Sequence, residues 1–403
     1  MEIINGGVCA PKGFTANGIH CGIRKNKTKR DLSLIYSEKR ATVACVYTSN
    51  LVKGSPIAVT KENVADGFAQ AIICNSGNAN TCNANGIEVA KAMCLECGNA
   101  LGISANDVVV ASTGVIGQPL DLTPIKEGLP ELVQGLGYNS QLAAQGIMTT
   151  DTALKEISLS FEIGGKTCAI GGIAKGSGMI HPNLATMLVF ITSDVAISPS
   201  MLQKALSTDV QNTFNMLSVD GDTSTNDTVC VMANGMAGNK EITEEGPDFD
   251  VFMKALNTVN VYLSKEIVAD GEGATKRIEC NVSGACCEQV AKTVAKSVIC
   301  SSLVKTAMFG ADANWGRVLC AIGYSGADVD VTKVDVYFQS KAGIIEVCRN
   351  GAGVAFSEEL AKTILLEDDI VINIGLNSGD KKATAWGCDL TYDYVKINGD
   401  YRT

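Results

Sequence analysis

A strand, a two-glycine turn, a second strand and a glycine-rich loop follow one another in the middle of the chain and constrain its fold most. Four alternate positions of the first strand are hydrophobic: Ile157, Leu159, Phe161 and Ile163. Gly164–Gly165 follow, and the apolar pattern resumes over 167–170, which predicts a β-hairpin. Residues 171–186 are rich in glycine and lead into a β-like run over 187–192. A loop held between two strands is well suited to carry a reactive backbone.

Elsewhere the pattern predicts both helices and strands. Ser198 is a predicted N-cap and Pro199 a first-turn residue, and hydrophobic residues follow at i+4 spacing: Leu202, Leu206, Val210 and Phe214. A second helix is predicted after Pro247 from Phe252, Leu256, Val259, Leu263 and Ile267. Alternation predicts two late strands: Val334, Val336 and Phe338, then Ile370, Ile372 and Ile374. The sequence therefore predicts an α/β or α+β fold, with a larger part around the glycine-rich loop and a smaller α/β part over about 280–403.

Charge and hydropathy exclude several classes of protein. The chain has 33 Lys and Arg against 43 Asp and Glu, a formal net charge of −10, which argues against a nucleic-acid partner. It contains no apolar run near 18 residues and begins without a basic, apolar leader, so we expect a cytoplasmic protein with no membrane partner.

Histidine and cysteine usage argues against a metal centre. His20 and His181 are the only histidines, which excludes a multi-histidine site and leaves little room for a Ser-His-Asp triad. Cys94 and Cys97 form a C-x-x-C, but they fall on the apolar stripe of a predicted helix and are expected to pack in the core. We expect no metal and no bound cofactor.

Three polar segments are candidates for chemistry. Residues 73–80 contain three Asn and a Gly, a composition typical of an Asx-rich turn. Residues 108–117 are an apolar strand that ends in Thr-Gly; this either aims donors at an oxyanion or is a simple strand exit. Residues 175–186 lack the Walker pattern, so ATP binding is poorly supported. They do place Lys175 eleven residues before Thr186, as expected of a hydroxyl nucleophile beside a cation.

The third segment resembles the autocleavage segment of the ornithine acetyltransferase (ArgJ) family of arginine biosynthesis. The resembling run is Ala174–Leu188. Further motifs extend the resemblance along the chain: Ala10–Phe14, Met148–Thr152, Val219–Asp227, Gly310–Arg317 and Asn398–Thr403. One departure is Leu154, where the family pattern has a proline before the lysine.

The resemblance implies a chain that cuts itself between Ala185 and Thr186 into fragments 1–185 and 186–403. It implies that Thr186 is the nucleophile and that its liberated amine is the general base. It also implies an oxyanion hole made by the Thr113 hydroxyl and the Gly114 N–H. The implied fold is the layered αββα sandwich of this family, with the smaller C-terminal α/β part.

The resemblance also implies the substrates. The substrate-contacting positions would be Thr149, Lys175, Thr186, Glu272, Asn398 and Thr403. Lys175 would hold an α-carboxylate and Glu272 the ornithine ammonium. The implied reaction is ping-pong transfer of acetyl from N-acetylornithine to glutamate, with acetyl-CoA left open as a second donor. The implied assembly is an α2β2 heterotetramer of the two fragments.

Other interpretations stay open at this level. A related N-terminal-nucleophile amidase or aminopeptidase would use water as the acceptor, and an uncut homologue would act only as a binding or structural protein. Without the resemblance, Glu272 is a turn carboxylate and Asn398 a surface residue near a fraying end. His181 is expected to lie in a loop outside catalysis.

Overall fold

The computed structural model describes residues 1–181 and 187–399 of the chain. The strands of this part are β1 Glu2–Ile3, β2 Phe14–Ile19, β3 Leu32–Tyr47, β4 Phe68–Asn78, β5 Val108–Val115, β6 Lys155–Ile163, β7 Lys166–Lys175, β8 Leu188–Ser193, β9 Leu217–Ser218, β10 Thr228–Ala233, β11 Arg277–Ala285, β12 Asp335–Ser340, β13 Gly343–Arg349, β14 Ala352–Gly353, β15 Asp369–Gly375 and β16 Lys381–Cys388. The α-helices are α1 Ser55–Asn63, α2 Gly86–Leu101, α3 Thr123–Gln134, α4 Ser140–Ile147, α5 Pro199–Asp209, α6 Pro247–Ala269, α7 Glu288–Cys300, α8 Ser302–Phe309, α9 Trp315–Gly323, α10 Glu358–Leu365 and α11 Tyr392–Gly399.

The described residues form two compact units. Of the described residues, the first unit takes 1–176, 187–211 and 223–263, and the second takes 177–181, 212–222 and 264–399. Each unit is built on one sheet with helices against it, so the predicted mixed α/β class is confirmed.

The sheet of the first unit has the strand order β1-β6-β7-β8-β10-β3-β4-β5, with β2 paired to β3. Successive residues of its strands face opposite sides of the sheet, and both sides are apolar. Leu34 and Ile73 belong to a core that includes residues of α1, α2 and α3. Their chain neighbours Ile35 and Ile72 belong to a second core that includes residues of α4. This unit is therefore a helix–sheet–helix sandwich.

The predicted hairpin is confirmed. β6 and β7 pair antiparallel from Lys155↔Ala174 to Ile163↔Lys166, which leaves Gly164 and Gly165 as a two-residue turn. Both glycines have positive φ, 56° and 74°, the conformation that such turns require and that other residues rarely adopt. The hairpin continues into β8, which pairs antiparallel with β7.

The sheet of the second unit has the order β14-β13-β12-β15-β11-β16-β9. The predicted strand with Ile370, Ile372 and Ile374 is β15, which pairs with β11 in parallel and with β12 antiparallel. Helices α7 and α10 pack on this sheet. Every helix within 1–181 and 187–399 is too short or too polar to span a bilayer.

Two sequence expectations need correction. The predicted helix after Ser198 does form, with Ser198 Oγ accepting from Met201 N, but it ends at Asp209 rather than continuing through Phe214, which lies in a short 3-10 helix. The turn expected over 73–80 is strand β4 as far as Asn78. The polar side chain of Asn75 is tolerated inside this strand because it bonds to Ser112 Oγ and Asn78 O.

Candidate active site

The start of β8 is flanked by two strands of the first unit. Leu188 is opposite Lys175 on antiparallel β7 and opposite Thr228 on parallel β10. Thr228 N also donates to Met187 O at 2.9 Å. The predicted nucleophile Thr186 precedes Met187 in the chain; Ala185, Thr186 and Thr403 lie outside the described residues.

Lys175 ends β7 and is buried, with 8% of the residue exposed. The carboxylate of Asp151 lies beside it, because Gly176 N donates to Asp151 Oδ1 at 2.8 Å. Thr149 N donates to the other carboxylate oxygen at 2.9 Å. Asp151 therefore fixes the backbone next to two predicted substrate-contacting residues at once.

Asp151 is charged although it is fully buried. Burial alone would raise its pKa, but the ammonium groups of Lys155 and Lys175 and the N–H of Thr149 outweigh that effect and hold the pKa below its usual range. Sequence reasoning missed this residue. The signal was an aspartate four residues before a lysine at the entrance to a buried strand.

Thr113 and Gly114 lie in the last part of β5, where the strand becomes half-buried. Gly114 has φ 132°, and a Cβ there would lie 2.3 Å from the carbonyl carbon of Gly77 on β4. The β4–β5 pairing is irregular at this point. Only glycine fits, so the backbone here is held in an unusual conformation against the neighbouring strand.

Asp227, directly before β10, is a second residue that sequence reasoning missed. It is 3% exposed, and its Oδ2 receives no hydrogen bond from the described residues. Burial raises its pKa well above the usual range, although Ser224, Lys175 and Thr48 act in the opposite direction. The folded protein therefore favours the protonated form of this carboxyl more than water does. The motif Val219–Asp227 was the only sequence signal.

In the second unit, Glu272 is buried and accepts a 2.8 Å hydrogen bond from Asn398 Nδ2. Its backbone N–H donates to Ser177 O at 2.8 Å. A Cβ on Gly178 would lie 2.3 Å from the Glu272 carboxyl carbon, so the glycine leaves room for the carboxylate. Glu272 and Asn398 are thus brought together.

His181 also lies in the second unit, and its Nδ1 is 3.0 Å from Ser218 Oγ and 3.5 Å from Cys300 Sγ. Burial, assisted by Lys296, lowers its pKa to about 4. The ring is therefore neutral near pH 7.

The structure places the predicted residues in two sets. Thr113, Gly114, Thr149 and Lys175 belong to the first unit, and Glu272 and Asn398 to the second. Cys94 and Cys97 lie buried on α2, as expected of core residues. In 1–181 and 187–399, no group of three or more His, Cys, Asp or Glu could hold a metal ion.

Known proteins match this chain over its whole length. The family model described as ArgJ family matches residues 15–403. The arginine biosynthesis bifunctional protein ArgJ of Caldanaerobacter subterraneus subsp. tengcongensis is 52% identical, with 100% of each chain covered. The corresponding ArgJ 1 protein of Clostridium acetobutylicum is 49% identical, over 97% of this chain and 96% of that protein.

A solved structure matches part of the chain. It is a crystal structure of the arginine biosynthesis bifunctional protein argJ from Bacillus halodurans, 49% identical, with a TM-score of 0.50. The match covers 52% of this chain and 97% of that chain, so the solved chain is about half as long as this one.

Proposed function

The chain belongs to the ArgJ family, and from that membership we propose that it cuts itself at the Ala185–Thr186 bond and then carries acetyl from N-acetylornithine to glutamate on Thr186. In the first step Thr186 Oγ attacks the Ala185 carbonyl carbon, the peptide C–N bond breaks, and the hydroxyl proton passes to the new amine. Water then hydrolyses the ester, which restores the hydroxyl and leaves a carboxylate on Ala185.

The position of β8 is the observation that supports this proposal most. β8 begins two residues after Thr186, between Lys175 on β7 and Thr228 on β10. β8 is an inner strand of its sheet, so the chain that follows the proposed cut is anchored in the sheet from Leu188 onward. The half-length chain of the Bacillus halodurans relative is a second support, since the proposed cut would leave chains of 185 and 218 residues.

The transfer itself needs a base and an oxyanion site. The α-amine of Thr186 would be the base, because an unperturbed α-amine titrates at about 7.7 to 8.0. Thr113 Oγ1 and Gly114 N would stabilise the oxyanion of each tetrahedral intermediate, a contribution of about 2.7 to 4 kcal/mol per donor in known enzymes. Thr186 Oγ attacks the acetyl carbon of N-acetylornithine, the amide C–N bond breaks, and ornithine leaves as an amine that has taken the hydroxyl proton. The glutamate amine then attacks the threonine ester, the ester C–O bond breaks, and the Thr186 oxygen takes a proton back.

The charges of Lys175 and Glu272 suit substrates that share an α-amino-acid frame. Lys175 would bind the α-carboxylate. Thr149 would lie near it, because the Asp151 carboxylate accepts hydrogen bonds from both Thr149 N and Gly176 N. Glu272, with Asn398 as its neighbour, would bind the ornithine ammonium. Thr403 would complete the set. The acetyl carrier is a side chain, so the transfer requires no cofactor. We further propose a cytoplasmic α2β2 heterotetramer of the two fragments.

Two measurements test the proposal. Intact-mass measurement should give two species, one that ends at Ala185 and one that begins at Thr186. The Thr186→Ala variant should remain a single chain and show no acetyl transfer. Ornithine release from N-acetylornithine beyond one equivalent per active site should depend on glutamate. Release that is equally fast without glutamate would instead support a hydrolase. A wild-type chain that stays whole would support an uncut homologue that acts only as a binding or structural protein. Glutamate with acetyl-CoA tests the second donor.

A further inference from the structure

The side-chain amide of Asn226 has all its hydrogen-bonding positions occupied. Nδ2 donates to Ala79 O at 2.6 Å and to Ser112 O at 2.9 Å. Oδ1 accepts from Thr81 Oγ1 and Thr225 Oγ1, each at 2.6 Å. An amide offers two donor hydrogens and two acceptor lone pairs, so these four bonds exhaust it. Asn226 is 6% exposed, and its orientation is therefore fixed by buried partners.

The two carbonyls that Asn226 binds belong to residues next to the Thr113–Gly114 segment. Ser112 directly precedes it on β5, and Ala79 is hydrogen-bonded to Val115, which directly follows it. Ser112 O belongs to the peptide whose nitrogen is Thr113 N. Ala79 belongs to the chain that continues from β4, and its N–H donates to Val115 O at 3.0 Å. One amide therefore holds the strand that carries the two oxyanion donors and the segment paired with it.

Ser112 is held a second time, through its side chain. Its hydroxyl donates to Asn75 Oδ1 at 2.6 Å, and Asn75 Nδ2 donates to Asn78 O at 2.9 Å. The backbone oxygen of Ser112 thus accepts one buried hydrogen bond, and its hydroxyl donates another. The donor to the backbone oxygen, Asn226, follows the proposed cut in the sequence, whereas Asn75 and Ser112 both precede it.

We propose that Asn226 is a positioning residue for the oxyanion donors Thr113 and Gly114. This inference rests on the proposed function and deepens it. Asn226 belongs to fragment 186–403, whereas Ser112 and Ala79 belong to fragment 1–185. After the proposed cut, the amide ties the fragment that carries the nucleophile to the strand that carries the oxyanion donors, without a covalent link. An acyl transfer that loses this tie keeps its substrate contacts but loses alignment in the transition state.

Asn226→Asp tests this role, because it keeps the size of the side chain and removes both donors. Asn234→Asp is the matched control. Asn234 directly follows β10, is 7% exposed, and donates from Nδ2 to Lys12 O at 2.8 Å and to Ser37 Oγ at 3.2 Å. Each variant loses buried side-chain donors near one end of β10, Asn226 before the strand and Asn234 after it. Only Asn226→Asp removes a hydrogen bond to Ser112, the residue directly before Thr113.

We expect Asn226→Asp to lower kcat for acetyl transfer by about 10- to 100-fold with KM within about threefold, whereas Asn234→Asp leaves both nearly unchanged. A methylphosphonamidate analogue of N-acetylornithine, which mimics the tetrahedral intermediate, should lose affinity in step with kcat in Asn226→Asp alone. Amide hydrogen exchange over 112–117 should also accelerate only in that variant. If Asn226→Asp does not give folded, cleaved protein, Thr225→Val removes one of the hydroxyls that orient the amide and should show the same effects more weakly.

Hydrogen exchange separates failure of this inference from failure of the proposed function. Absence of acetyl transfer in the wild-type chain would refute the proposed function and with it an oxyanion role, even with faster exchange over 112–117 in Asn226→Asp. Normal transfer in the wild type, together with equal kcat losses in Asn226→Asp and Asn234→Asp or unchanged exchange over 112–117, would overturn the positioning role alone.

Discussion

Lys155 Nζ lies 2.7 Å from Asp151 Oδ1, and neither side chain is exposed to solvent. Such a pair is stable only when further hydrogen bonds satisfy the remaining charge. Here the N–H groups of Thr149 and Gly176 supply them on the carboxylate side, and Ala153 O accepts a 3.3 Å hydrogen bond from the ammonium. The pair therefore holds together the segments that carry Thr149 and Lys175.

Asp151→Asn should destabilise the fold strongly, because it removes the carboxylate charge that lies 2.7 Å from the buried Lys155 ammonium. We expect a loss of about 3 to 5 kcal/mol in the free energy of unfolding. Glu288→Gln is the control, since Glu288 and Lys292 have the same i,i+4 spacing but an exposed carboxylate; its loss should be about 0.3 to 0.5 kcal/mol. Denaturant unfolding measures both. Equal losses would show that the buried pair contributes no more than an exposed one.

Asp227 should make the protein less stable as the pH rises. Its pKa is raised in the folded state, so the folded protein binds this proton more tightly than the unfolded chain does. The favourable contribution is complete below about pH 3.9, the unfolded value, and is lost as the pH rises through the folded value. Asp227→Asn has no proton to lose. The melting temperature of the variant minus that of the wild type should therefore become more positive from pH 4.5 to pH 8. A difference that does not change with pH would contradict the raised pKa of Asp227.

Glu272→Gln should separate the charge of this residue from its packing. Glutamine can still accept the hydrogen bond from Asn398, but it cannot balance an ammonium group. If Glu272 binds the ornithine side chain, kcat/KM for N-acetylornithine should fall about 10- to 100-fold, more than for glutamate. Glu279→Gln, which removes a carboxylate paired with Lys265 in the same unit, is the control. Equal losses for both substrates would refute the assignment.

The local sequence pattern was sufficient for much of the fold. Two glycines between alternating strands predicted the β6–β7 hairpin, because few residues adopt the positive φ that its turn needs. The Ser198–Pro199 pair placed the start of α5 for a similar local reason. The end of that helix was not predictable, because Val210 and Phe214 stay apolar beyond it and pack in the core without being helical.

The candidate site depended on contacts between distant parts of the sequence. Nothing near Asn75 indicates that Ser112, 37 residues later, will satisfy its amide inside a strand. In the same way Asp151 acquires its role only when folding brings Gly176 to its carboxylate. Composition predicted a turn at the first of these residues and no role at the second, since polar residues in a strand are explained only by their partners.

Gly114→Ala should abolish most of the activity, and Gly117→Ala should not. Both glycines have positive φ, 132° and 77°, so alanine strains the backbone at either position. They differ in space, because a Cβ at Gly114 would lie 2.3 Å from the carbonyl carbon of Gly77, whereas a Cβ at Gly117 would meet nothing within 4 Å. The clash involves two backbones and can be relieved only by separating β4 from β5, which moves the Gly114 N–H. We expect kcat to fall by at least about 100-fold in Gly114→Ala, and by no more than about threefold in Gly117→Ala. Similar kcat losses in both variants would assign the effect to backbone strain instead of the close approach of the two strands.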